Sequence, residues 1–83
     1  EIGDRNGEGV ALGNLGLAYL FLGDAQKAIE YQQQRLAIVR QIRDLQGEGT
    51  ALVNLGVVYR ELGDYQKGSE YPQQSLVIAR QIG

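Results

Sequence analysis

The side chains able to do chemistry are few, and most of them come twice. Hydroxyls at Thr50, Ser69 and Ser75 need a neighbouring base to become nucleophiles, and the sequence contains no His and no Cys, so the usual activated nucleophile is missing. Carboxylates Asp4, Glu8 and Glu30 return forty residues later as Asp44, Glu48 and Glu70. Carboxylates that recur at one phase suit helix caps and solvated faces better than an acid/base pair or a metal cage. The spacings Gly7-x-Gly9 and Gly13-x-x-Gly16 resemble a phosphate loop, but such a loop follows a strand, and no strand is legible here. The side-chain amides of Asn14 and Asn54 carry both donor and acceptor and can bond within their own repeat or to the adjoining one. The chain therefore reads as non-catalytic, with no cofactor and no metal expected.

Charge narrows the partners further. The net charge of −2 is dispersed, which lacks the basic footprint of a nucleic-acid or anionic-membrane binder. No apolar run approaches the ~20 residues of a membrane span, and the first residues lack the basic start and apolar core of a signal peptide. A soluble, cytoplasmic protein is the default expectation, with a protein or peptide as partner, no nucleic acid and no membrane.

The elements that must position these residues come from a duplication. Residues 1–40 align with residues 41–80 without a gap, and 23 of the 40 pairs are identical. Residues 81–83 restart the same phase, so the chain looks cut from a longer array. An 83-residue chain without disulfides or zinc rests on helix packing alone, and solenoid units bury their apolar faces on neighbours. Each period reads as two helices joined by a tight turn. The expected division is 1–43, with helices over about 6–22 and 25–41, and 44–83, with helices over about 46–62 and 65–82. Gly23 is placed as a left-handed C-terminal cap and Asp24 as the N-cap of the next helix. The fold class is all-α: four antiparallel helices forming two tandem helix-turn-helix repeats of an α-solenoid.

At ~100° per residue, Ala25, Ala28, Ile29, Leu36, Val39 and Ile42 share one arc of the second helix, and Tyr31 and Ile38 lie opposite. Two stripes imply two packing partners, one in the same repeat and one in the next. Taking the second stripe as the one that meets the next repeat leaves Tyr71, Ile78 and Ile82 without a following helix. They are then the surface for self-association into a homo-oligomer.

Leu12, Leu15-Gly16, Tyr19 and Ala28, with Leu52, Leu55-Gly56 and Tyr59, resemble the spaced small and large residues of the tetratricopeptide repeat (TPR). The 40-residue period and the Asn-Leu-Gly and Leu-Gly-Asp blocks are similar to the variant in Leu-Gly-Asn-type polarity adaptors, kinesin light chain and many bacterial arrays of this family. The resemblance implies a non-catalytic scaffold, in which the first helix of each repeat lines a concave groove for a partner's segment. The groove residues would be Asn14, Leu17, Leu20 and Phe21, then Asn54, Val57, Arg60 and Glu61. Leu20 and Phe21 could instead complete a core toward a preceding repeat. The basic pairs with which chaperone adaptors clamp a terminal carboxylate are replaced by Gly13, Val53, Leu17 and Val57. The alternatives are a stacked or domain-swapped homo-oligomer, or the sensor region of a larger signalling protein.

Three departures from the family pattern carry structural expectations. Gly68 replaces the small Ala28. Pro72 stands inside the fourth helix, where loss of a hydrogen bond and a clash with the Gly68 carbonyl cost about 3 kcal/mol, so a kink or fraying is expected. Arg43 occupies a capping position held elsewhere by Gly, which would let the second and third helices run on as one and exchange between chains.

Overall fold

The computed structural model describes residues 4–82 as four helices: α1 (Arg5–Phe21), α2 (Ala25–Gln41), α3 (Leu45–Glu61) and α4 (Tyr65–Ile82). The same turn separates them three times. At each, one residue takes positive φ, 84° at Gly23, 59° at Arg43 and 83° at Gly63. The following aspartate donates its N–H back to the carbonyl of Tyr19, Val39 or Tyr59 at 2.8, 2.8 and 2.9 Å, which closes the helix end in a Schellman arrangement. That aspartate then starts the next helix. The side chains of Asp24, Asp44 and Asp64 accept from the N–H groups of Lys27, Gly47 and Lys67 at 3.0–3.1 Å, and Asp4 does so from Gly7 at 2.9 Å. Each cap satisfies an amide that the first turn leaves free, a contribution of about 1 kcal/mol.

Arg43 thus corrects one expectation. It adopts the left-handed conformation itself, so α2 and α3 are separate helices rather than one. At Pro72 the expected fraying does not occur: α4 continues as helix through it. The neighbouring helix explains why. A Cβ on Gly56 would stand 2.8 Å from the Cδ and Cγ of Pro72 and 3.1 Å from the Gly68 carbonyl oxygen. The proline ring therefore has a place against bare α3 backbone. The carbonyl deprived of its usual donor faces a glycine Cα, the approach in which weak C–H contacts form.

The core lies between the repeats. Leu36 and Val39 of α2 close over Ala51, Leu52 and Leu55 of α3, with Ile29, Tyr59, Tyr71 and Ile78 packed around them. Within each repeat the packing is of another kind. Gly9, Gly13 and Gly16 are the buried residues of α1, and this groove of bare backbone receives large side chains. Ile38 comes within 3.4 Å of the position of a Gly9 Cβ, and the Tyr19 and Tyr31 rings stack at 5.5 Å. The second repeat repeats the stack with Tyr59 and Tyr71, also at 5.5 Å. Lys27 and Lys67 lie 5.2 Å from the centroids of Tyr19 and Tyr59.

The two stripes are accordingly assigned the other way round from the sequence expectation. Tyr31 and Ile38 cover α1 of their own repeat, while Leu36 and Val39 meet α3. Tyr71 and Ile78 consequently pack against α3 in the same repeat and are half-buried. The stripe of α4 without a covering helix is the one that carries Leu76 and Ala79. The cause is the glycine row: bulky Tyr and Ile fill the close helix pair, and both stripes look equally apolar on paper.

Candidate functional site

With α2 on one side and α4 on the other, α3 keeps one arc for solvent. Thr50, Val57, Arg60 and Glu61 on it are exposed and Asn54 is half-buried. Spacings of three and four residues put them on a common face. The corresponding positions of α1 are Val10, Asn14, Leu17, Leu20 and Phe21. Asn14 is exposed, Leu17 and Leu20 are half-buried, and Phe21 is 89% exposed. Phe21 lies over the arc of Asn14 and Leu17, away from the Ala11, Leu15 and Ala18 side that corresponds to the α3 surface covered by α2. The side-chain hydrogen bonds among the described residues involve neither Asn14 nor Asn54, so both amides present donor and acceptor. The arc thus combines two free amides, apolar side chains and one pair of opposite charges. Of the residues expected to self-associate, Tyr71 and Ile78 lie against α3 and Ile82 is exposed at the end of α4.

Several of the remaining polar groups hold the helices. Four aspartates are caps. Glu8 pairs with Arg5 at 2.8 Å and Glu48 with Arg40 at 2.9 Å, and Glu70 accepts from Gln66 at 3.2 Å. The Thr50 hydroxyl donates to the Gln46 carbonyl at 3.1 Å, and the Ser69 hydroxyl accepts from Gln73 at 3.4 Å. Among the described residues no three His, Cys, Asp or Glu side chains gather as a metal site would require, and no helix is long and apolar enough to cross a membrane.

One feature escaped sequence reasoning. Between α3 and α4 lies an open cleft of about 320 Å³ lined by Leu45, Val53, Ile78 and Ile82, with Thr50 and Ser75 among its polar contributors. The difference between the repeats accounts for it. In the first repeat the Arg35 side chain crosses the corresponding place and lies 2.8–2.9 Å from where a Gly13 Cβ would stand. In the second, Ser75 replaces that arginine and is too short to fill the space. The mismatch of Arg35 with Ser75 in the alignment was the available signal. Thr50 and Val53 belong both to the cleft and to the solvent-facing side of α3, so cleft and arc are continuous.

The model of a family described as "tetratricopeptide repeat" matches this chain twice, over residues 10–38 and 49–81. Each match begins within the first helix of a hairpin and ends within the second. No curated protein matches the sequence.

Proposed function

Because the chain belongs to the tetratricopeptide repeat family, whose repeats commonly mediate protein–protein interactions, we propose that it is a binding scaffold for an extended segment of a protein partner. The segment lies along the arcs of α1 and α3. Asn14 and Asn54 bond its main chain, and Leu17, Phe21 and Val57 take its apolar side chains. Arg60 and Glu61 select among charged ones, acting on specificity more than on raw affinity. Leu20 sits at the edge of the first arc. The resemblance to related arrays, including kinesin light chain, that present an asparagine just before the Leu-Gly pair supports these roles for Asn14 and Asn54.

The observation that carries the reading is the continuity of the α3 arc with the cleft beneath it. An apolar anchor seated between Val53 and Ile78 would rest on apolar walls, the kind of contact that anchors an interface, while its flanking main chain crosses Asn54. A displayed library of random peptides selected on the immobilised chain tests this. Selected peptides are expected to share an apolar anchor residue, and Val57→Glu should weaken them at least tenfold, with helicity unchanged. Peptides that ignore Val57→Glu and Asn54→Ala alike would place binding elsewhere and remove the reading.

A further inference from the structure

Both halves of the interface that joins the two repeats recur, uncovered among the described residues, on α1 and α4. Inside the chain three pairs mark it. Leu36 of α2 and Leu55 of α3 belong to the same buried core, the Arg40 Nε donates to the Glu48 carboxylate at 2.9 Å, and the Gln33 amide donates to the Tyr71 hydroxyl at 3.3 Å. Forty positions on from the first member of each pair stand Leu76, Arg80 and Gln73. Forty positions back from the second member stand Leu15, Glu8 and Tyr31. All six residue types are kept. What differs is cover: Leu36 is 4% exposed and Leu76 57%, while Leu55 is fully buried and Leu15 is 44% exposed.

We propose that copies of this chain stack head to tail, α4 of one on α1 of the next, rebuilding the α2·α3 interface between molecules. Leu76 of one copy then meets Leu15 of the second, Arg80 meets Glu8, and Gln73 meets Tyr31. The second copy is the occupant because one surface carries every group the other needs, in the order in which the internal interface already uses them, and with the basic residue facing the acidic one. The contact is weaker than its internal template: Ala79 stands for Val39, Ala18 for Val58 and Ser69 for Ile29, so less apolar volume is covered. Glu8 is also engaged by Arg5. Since the two surfaces are different, the contact does not close on itself and adds copies one at a time. The proposal is independent of peptide binding, because Leu15 and Leu76 lie off the proposed groove.

The test is sedimentation equilibrium from micromolar to millimolar chain, on the native protein and on Leu15→Glu and Leu76→Glu. Both substitutions are at exposed positions, and circular dichroism checks that helicity is kept. The native chain should grow steadily in mean mass without a plateau at dimer. Each variant alone should stay monomeric. An equal mixture of the two should form a 1:1 pair and nothing larger, because Leu15→Glu retains an intact α4 face and Leu76→Glu an intact α1 face. A native chain that is monomeric throughout leaves the ends to other occupants, further repeats or a different protein, and overturns the proposal. So does a dimer plateau that Leu15→Glu preserves, since that is a two-fold contact through α4.

Discussion

Arg43 is the one residue without a glycine's freedom among the three positive-φ turns, and the left-handed conformation costs a residue with a Cβ roughly 1–2 kcal/mol. What holds it there is the pair of bonds around it, Arg43 N–H to Arg40 at 3.3 Å and Asp44 N–H to Val39 at 2.8 Å, followed by the Asp44 cap. Arg43→Gly should therefore raise stability by about 1 kcal/mol, seen as a higher urea midpoint at unchanged slope; a lower midpoint would mean that the arginine side chain makes a stabilising contact. Gly23 and Asp24 were legible in the sequence because glycine and aspartate are the residues such a turn prefers. Arg43 was not, because its conformation is imposed by neighbours and not by its own type. The free amides of Asn14 and Asn54 lie between these cases: the residue type announced hydrogen bonding, but only the packing of α1 and α3 decided that the side chains are left open.

At the scale of the element, α3 and α4 fit because a glycine and a proline face each other. Ala has the better helix propensity by about 0.8–1 kcal/mol, yet Gly56→Ala should destabilise by about 1–3 kcal/mol because its methyl would enter the proline ring and the Gly68 carbonyl. Pro72→Ala should stabilise by about 1–2 kcal/mol by restoring the missing N–H. The double substitution relieves the contacts with the ring, so the two effects should couple by more than ~0.5 kcal/mol in a thermal or urea double-mutant cycle. Strict additivity would show that the close approach is not what accommodates Pro72. The existence of four helices was legible from the duplication and its capping residues. The facing of each stripe was not, since Leu36 with Val39 and Tyr31 with Ile38 are equally apolar, and only the three-glycine groove of α1 decides which pair it admits.

For the molecule as a whole, burial is lopsided. The buried residues of α1 are three glycines, whereas α3 buries Ala51, Leu52, Leu55 and Val58. In dilute solution, where its outer side is uncovered, α1 should open at a free energy lower than α3 by about 2 kcal/mol, the scale of one leucine's burial. Amide hydrogen exchange followed residue by residue checks this; equal protection of α1 and α3 would contradict it. Two hairpins with so much sequence in common also face a hazard during folding, because the wrong pair of helices can meet, a failure common in repeat proteins. The exchange of Gly13 with Arg35 in one hairpin for Val53 with Ser75 in the other guards against it. Arg35 lies where a Cβ at Gly13 would stand, so in the same geometry its side chain would have to leave that place for α2 to meet Val53 of α3. The opposite mispairing, α1 with α4, sets Gly13 against Ser75 and leaves a void. Gln32 adds to the discrimination, since its buried amide donates to the Gly13 carbonyl at 3.0 Å, whereas Pro72 at the same position has no donor to offer. Each hairpin is keyed to itself, and the residues that spoil the repeat's regularity are the ones that tell its copies apart.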